Sequence, residues 1–493
     1  ILGGATSVNV KVSISHFYGI EINDFAVTVA KTALWIAESQ MLKEKEAIIR
    51  EHLDFLPLKN NAYIIEGNAL RLDWETVVPK TKLSYIMGNP PFIGHQWRSD
   101  EQAADMENVF CELPKHGKLD YVTAWYKKAA DYMVNTRIVT AFVSTNSIVQ
   151  GESVGILWEF LFGQGVEIRF AHTSFVWMSE AKSQAAVHCV IIGFGIGYTK
   201  QPKLLYENAR CKIVEHINGY LLGAPDVFIH SRGKQLTEGL PKIVQGNKPW
   251  DGGYLILSPD EAQELWERYP ATGDFIKRYI GSYEFINNQK RYCLWLKGVE
   301  PSKYRKIPEI MARLEGVAET RRNTKTKAVQ EQACTPMLFS QIRQPNTDYL
   351  AIPEVSSQNR RYIPIGFVAP NVISSNKIFL IPNATNYLFG VMISNVHMAW
   401  MRTVCGRLKS DYSYSPAVYN NFPWPTPTDA QKARIEQTAQ AILDARALYP
   451  DSSLADLYDE VTMPPELRKA HQQNDRAVMD AYGFTKGTEA RTS

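Results

Sequence analysis

The first 200 residues alternate short apolar runs with stretches of helical periodicity, and several of the runs stop at a polar residue. Residues 16–22 read as a strand that ends in an acid, Glu21. Residues 25–41 follow at helical spacing, with Phe25, Val29, Leu34 and Ile36 apolar and Glu38 and Gln40 polar. Residues 62–66 and 84–87 are two more short strands, 120–134 a helix, and 138–144 and 187–194 buried strands. Strands alternating with helices predict an α/β fold, a mostly parallel sheet covered on both faces.

The pattern changes near residues 235–255, where 248–253 form a turn-rich joint. Prolines and aromatics then become dense, and residues 301–330 hold eight basic residues against three acids. A proline-rich stretch, 421–428, is a second joint, and 430–447 and 465–482 read as helices. The reading is therefore three parts: 1–235, a mixed α/β part at 236–425, and a helical segment at 426–493. No run approaches the roughly 18 apolar residues of a membrane span. The six cysteines are scattered with no CxxC pair, which argues against a zinc site and fits a reducing cytoplasm. His172 and His188 lie beside apolar strand residues without partners at metal-ligand spacing, and read as structural. The net charge of +3 says little, because a basic surface can be confined to one part.

The strongest local signal is Asn89-Pro90-Pro91-Phe92, directly after a strand. An exocyclic amine on adenine is a poor nucleophile because its lone pair is delocalised into the ring. Two acceptors aimed at its N–H groups would pull the nitrogen toward tetrahedral geometry. The Asn89 side-chain carbonyl and the Pro90 main-chain carbonyl can supply them, and two prolines stiffen the turn. Phe92 offers a face for an extruded base. The competing reading is an ordinary turn. Glu21, at the end of another strand, is placed to accept from both hydroxyls of a ribose, or else to cap the next helix. Asn68, after the next strand, suits an adenine contact or a plain turn. Asp120 and Tyr121 open a helix, either lining the pocket or serving as N-cap and core.

Tyr18-Gly19-Ile20-Glu21-Ile22-Asn23, Gly67-Asn68-Ala69-Leu70 and Asn89-Pro90-Pro91-Phe92 together resemble successive motifs of gamma-class N6-adenine DNA methyltransferases. Val176-Trp177, Glu180-Ala181-Lys182 and Ala185-Ala186-Val187-His188 are similar to the final catalytic motifs of the MmeI-like restriction–modification branch. Arg361-Tyr362-Ile363-Pro364, His397-Met398-Ala399-Trp400, the Gly406–Tyr412 stretch and Tyr419-Asn420-Asn421-Phe422-Pro423-Trp424 look like its target-recognition region. The resemblance covers essentially the whole chain. It implies a Rossmann-like class I methyltransferase sheet, S-adenosylmethionine as cofactor and double-stranded DNA as substrate. Glu21 and Ile22, Asn68 and Ala69, and Asp120 would meet the cofactor, and Asn89, Pro90, Pro91 and Phe92 the target base. No metal is implied. Arg321, Arg322 and Lys325 are candidates for phosphate contact, and Arg360, Arg361, Arg407 and Lys409 for target or backbone contact. Trp400 and Trp424 read as packing.

Family members carry a glycine-rich loop after the first strand. Gly3-Gly4 is the only candidate here and no strand precedes it. The chain, which starts with Ile, is expected to begin between that loop and the second motif, without the nuclease of such enzymes. Weak cofactor binding is then expected, with an upstream segment or separate polypeptide supplying the rest. Three rivals stand beside this reading. Protein glutamine methyltransferases share Asn-Pro-Pro-aromatic but are short. Cytosine-N4 enzymes more often begin the motif with Ser or Asp. A non-catalytic DNA-binding remnant is the third. Cytosine-C5 chemistry needs a Pro-Cys pair, which is absent.

Overall fold

The structure is a computed structural model that describes residues 12–49, 62–177, 187–197, 199–208, 210–408 and 410–484. Gly3-Gly4, Glu180-Ala181-Lys182, Ala185-Ala186 and Lys409 lie outside the described residues. The chain divides into two compact units, Ile1–Val149 with Ser153–Val227, and Gln150–Glu152 with Phe228–Ser493.

In the first unit, β1 (Tyr18–Glu21) leads into α1 (Asp24–Ile49) and pairs in parallel with β2 (Tyr63–Glu66), Glu21 lying opposite Glu66. Asn23 starts α1, its side-chain oxygen accepting from the Ala26 N–H at 2.9 Å. A six-stranded sheet follows. It uses β3 (Tyr85–Gly88), β4 (Val139–Thr145), β5 (Val166–Trp177), β6 (Val187–Ile196), β7 (Lys203–Glu207) and β8 (Arg210–Val214) in the order β3-β4-β6-β5-β7-β8. Three helices of this part are α2 (Asp100–Val109), α3 (Thr123–Met133) and α4 (Gly151–Gly163).

The expected mostly parallel sheet needs correction. β3–β4 and β5–β7 are parallel, but β4–β6, β5–β6 and β7–β8 are antiparallel. The cause is connection length. A parallel crossover takes a dozen or more residues, whereas nine residues separate β5 from β6 and two separate β7 from β8. Asn208, at φ +46°, supplies the left-handed backbone of that last turn. Tyr126 of α3 centres the core. Its ring stacks on Phe194 at 5.1 Å and meets Phe142 and Trp158 edge-on, and its hydroxyl pairs with the Ser144 hydroxyl at 2.7 Å. Such ring pairs contribute about 1 kcal/mol each beyond the area they bury.

The second unit holds two four-stranded sheets and one three-stranded sheet. Ile310, Leu314 and Val317 fall on one face of α5 (Pro308–Arg322) and join Leu257, Phe275 and Leu294 in its main core. Three further helices, α6 (Asn386–Met392), α7 (Asp429–Ala447) and α8 (Pro465–Ala481), pack within the same unit. Gly390 permits their close approach, since a Cβ there would lie 2.8 Å from the Ile435 side chain. The Gly390 carbonyl accepts from the Asn474 amide at 2.8 Å. Asp475 of α8 accepts from the Tyr362 hydroxyl at 2.6 Å and the Asn395 N–H at 2.8 Å. The proline-rich 421–428 stretch is anchored by packing: Phe422 and Trp424 are buried and in ring contact with each other and, respectively, with His397 and Tyr419. Trp400 donates to the Val418 carbonyl at 2.9 Å.

Arg321 corrects a second expectation. It is fully buried at the end of α5 and donates to five main-chain carbonyls: Trp250, Gln332, Thr335, Pro249 and Leu338, at 2.7 to 3.1 Å. A guanidinium has five N–H groups, so none remains for a phosphate. The side chain instead ties the 249–250 turn and the 332–338 segment to the end of α5, although the Pro249, Gln332 and Thr335 carbonyls each also accept a backbone N–H. Arg321→Ala is expected to cost about 3 kcal/mol or more in urea unfolding, by removing five buried hydrogen bonds. Arg321→Lys, with three donors, should lose less.

Candidate functional site

The site is assembled from the carboxyl ends of β1, β2 and β3. The Gly67 N–H donates to the Glu21 main-chain carbonyl at 2.7 Å, which ties the ends of β1 and β2 together. Gly67 sits at φ +156°, and a Cβ there would fall 2.5 Å from the Leu72 side chain. The Glu21 side chain is half-buried and takes no part in capping α1, a task Asn23 performs. Ile22 is exposed and Ala69 half-buried.

Asn68 turns inward. Its carbonyl oxygen accepts from the Leu70 N–H at 2.9 Å, and its amide donates to Asp105 at 3.0 Å. Asp105, on α2, is a residue that sequence reasoning missed. It is only 3% exposed and also accepts from the Arg71 guanidinium at 2.6 Å and the Tyr121 hydroxyl at 2.8 Å. Burial pushes its carboxyl up, but the hydrogen bonds from Arg71, Tyr121 and Asn68 outweigh that and hold it below the ordinary value. The sequence carries no signal for it, because the helix Asp100–Val109 is largely polar and its only buried residues are Asp105 and Met106.

The loop after β3 has Asn89 exposed, Pro90 buried, Pro91 exposed and Phe92 half-buried. Its far end is gripped twice. The Ile93 N–H donates to the Asp120 carboxylate at 3.2 Å, and the Ile93 carbonyl accepts from the Tyr121 N–H at 3.0 Å. The same Asp120 oxygen accepts from the Val122 N–H at 3.1 Å. Asp120 was expected beside the cofactor, or as a helix cap. The helix itself starts later, at Thr123, and the carboxylate fastens the loop. Burial pushes the Asp120 carboxyl above its ordinary value, against the pull of the two backbone N–H groups. A continuous chain of bonds thus joins all three strand ends: Glu21 to Gly67, Asn68 to Asp105, Asp105 to Tyr121, Tyr121 to Ile93.

The basic candidates fall into two groups. Arg322 is exposed and pairs with Glu315 at 3.0 Å, and Lys325 is exposed just beyond α5. Arg407 lies in the three-stranded sheet of Val355–Ser356, Gly406–Leu408 and Asp411–Ser413, and Arg360 and Arg361 lie in the turn that follows Val355–Ser356. The Gln358 N–H donates to Asp411 at 3.2 Å, which docks the Arg360 turn onto that sheet. Arg407 lies over the Tyr412 ring at 3.8 Å and donates to the Ser410 carbonyl. Arg361, exposed, lies 5.7 Å over the Tyr362 ring. Burial lowers the Arg360 guanidinium from its ordinary value, opposed by Asp411 and Asp459. Among the described residues no group of three or more His, Cys, Asp or Glu could hold a metal, and no helix is long and apolar enough to cross a membrane.

An α/β sheet with an acid, a tight turn and Asn-Pro-Pro-Phe at linked strand ends is the fold of the methyltransferase class, here followed by a mixed α/β unit with helices at its end. Residues 2–207 match the MmeI DNA-methyltransferase domain, 223–426 the MmeI target recognition domain and 427–492 the MmeI C-terminal domain. The chain is 40% identical over 475 residues to DNA methyltransferase A of Bacillus subtilis (strain 168), covering 96% of this chain and 54% of that protein. It superimposes with a TM-score of 0.91 on the Type IIL restriction-modification enzyme MmeI solved in complex with DNA, at 43% identity, covering 98% of this chain and 65% of that one. The chain belongs to the MmeI family, and it spans about half to two thirds of the length of these relatives.

The raised Asp120 carboxyl gives a test with a definite sign. A raised acid costs stability once pH exceeds its unfolded value. Asp120→Asn keeps an oxygen for both N–H groups and removes that cost. The variant's melting temperature should match wild type near pH 4 and exceed it progressively toward pH 7. A variant less stable at pH 7 than at pH 4, relative to wild type, would show that the ionised carboxylate is favoured instead.

Proposed function

We propose that this chain is the modifying and target-reading part of a restriction–modification enzyme that methylates the N6 amine of adenine in double-stranded DNA with S-adenosylmethionine. The observation that carries the reading is the bonded chain from Glu21 through Gly67, Asn68, Asp105 and Tyr121 to Ile93. It holds a ribose-type acid and an Asn-Pro-Pro-Phe loop in one constellation, with Asn89 accessible rather than packed away.

In this reading the Glu21 carboxylate accepts from the cofactor's ribose hydroxyls, and the turn at Asn68 and Ala69 lies beside its adenine. The Asn68 amide is engaged with Asp105, so the turn offers main chain and Ala69 rather than that side chain. S-adenosylmethionine, when bound, supplies an electrophilic methyl group. The Asn89 side-chain carbonyl and Pro90 main-chain carbonyl accept from the target amine and localise its lone pair, while Phe92 stacks on the everted base. Arg360, Arg361 and Arg407 form the target-facing group, and Arg322 and Lys325 contact phosphates. The domain boundaries proposed are 1–235, 236–425 and 426–493.

A further segment of polypeptide, joined or separate, is proposed to complete the cofactor site. Among the described residues β1 pairs only with β2 and β3 only with β4, so each keeps an open edge. Tyr85 and Met87 of β3 are 69% and 77% exposed, and Ile22 just after β1 and Phe25 at the start of α1 are exposed as well. Parallel strands are normally covered on both faces, and a two-stranded sheet alone is marginal.

Asn89→Ala is expected to reduce methyl transfer by about 100-fold or more while DNA binding stays within about twofold. The readouts are modified-base sequencing of DNA from cells expressing the protein, and filter binding. Retained DNA binding with no methylation by wild type would favour the non-catalytic remnant. Calorimetric titration of S-adenosylmethionine into the 493-residue chain should show binding weaker than micromolar; micromolar affinity would remove the need for a completing segment.

A further inference from the structure

Asp105 is unlike the other groups of the site because it touches both of its halves. One carboxylate oxygen accepts from the Asn68 amide at 3.0 Å and from the Tyr121 hydroxyl at 2.8 Å, and the other accepts from Arg71 at 2.6 Å. Asn68 and Arg71 belong to the turn after β2, whose carbonyl at Asn68 also accepts from the Arg71 and Leu72 N–H groups at 3.0 Å. Tyr121 belongs to the dipeptide that grips Ile93 at the end of the Asn89 loop. The helix that presents Asp105 is held firmly. Ser99 and Gln102 close a reciprocal cap at its start, and Met106 and Phe110 beside Asp105 are each 1% exposed. Tyr121 has little freedom either, with its ring edge-on to Trp125 at 5.2 Å.

We infer that Asp105 is a positioning residue that sets the 67–70 turn and the 89–93 loop in one shared geometry, so that neither half of the site can shift without the other. Three donors converge on a single side chain from two segments of the chain, and a carboxylate is the side chain that only accepts. An amide in its place would face at least one of those donors with its own N–H groups. The role is structural in means and functional in effect: a misplacement of about 1 Å between an amine and its methyl donor costs on the order of 100-fold in rate. This inference deepens the methyltransferase reading, but its first test does not depend on that reading.

The test is hydrogen exchange read by mass spectrometry on the 493-residue chain without cofactor or DNA, for wild type, Asp105→Ala and Tyr121→Phe. In Asp105→Ala, which removes both acceptor oxygens, peptides covering 67–72 and 89–96 should both lose protection, by about tenfold, while the β4 peptide at 139–145 does not change. In Tyr121→Phe only the 89–96 peptide should loosen. Loosening of every peptide together, or of one half alone in Asp105→Ala, overturns the inference. If Asp105→Ala does not fold, Tyr121→Phe decides it, and loosening of 67–72 in that variant or no change in 89–96 overturns it. A second readout is methyl transfer to mixed-sequence DNA by the complete enzyme. Tyr121→Phe should lower kcat by about tenfold or more with KM for DNA little changed; a rise in KM alone counts against positioning. If wild type transfers no methyl group the methyltransferase reading fails, and the exchange pattern still decides the role of Asp105.

Discussion

A carboxylate taken out of water is costly unless its oxygens are fully supplied with donors, and the first unit places such a group between two segments that need fixing. Asp105 gathers a guanidinium, an amide and a phenol, and the gain is geometric as much as energetic. The turn after β2 and the loop after β3 belong to different sheets, so no backbone ladder holds one against the other. Side-chain hydrogen bonds must do so. The burial of Asp105 keeps those bonds from being screened or exchanged with water.

The second unit applies the same device with the opposite charge. Among the described residues the hydrogen-bond partners of Arg321 are carbonyls rather than anions, from the 249–250 turn and the 332–338 segment. The second segment is partly a 3-10 turn, and three of the five carbonyls also accept a backbone N–H. A single side chain with five donors fixed in a plane can tie both segments to the end of α5 at once, which a lysine cannot. In each unit a buried ion therefore links separate segments of the chain and fixes where they lie.

These two residues also mark the limit of what the sequence makes legible. Periodicity located β1, β2, β3, β4 and β6 and the helices α3, α7 and α8 within a few residues, and the start of α1, which runs on to Ile49 rather than ending at 41, because each buries a face with a regular spacing. It missed α4 and β5 after it, and also β7 and β8, where no helix separates the strands, and with them the antiparallel half of the sheet. Motif reasoning pointed to Glu21, Asn68, Asn89 and Phe92, which the structure places at or just beyond strand ends. It did not find Asp105, since an acid in Asp100–Val109 looks like any solvated helix residue until its three donors are seen arriving from Asn68, Arg71 and Tyr121. It misjudged Arg321 for the same reason: Arg321-Arg322 reads as a basic pair, and only the fold separates a buried hub from an exposed neighbour.

The division of labour among the cations follows from this. A charge inside a cluster of basic residues carries no information about where its side chain points. Partners do: Arg322 is held by Glu315 on the surface of its own helix, while Arg407 lies over Tyr412 with one nitrogen bonded to the Ser410 carbonyl and Arg361 lies over Tyr362. A guanidinium held against a ring loses less freedom when it pairs with the acceptors of a base edge. A lysine or arginine on a mobile stem is better suited to a phosphate, which demands charge but little direction. Within the proposed function, the three-stranded sheet that carries Arg407 and docks the Arg360 turn is therefore a better candidate for sequence discrimination than the basic end of α5. The net charge of +3 does not reveal this, because the distinction lies in how each cation is held rather than in how many there are.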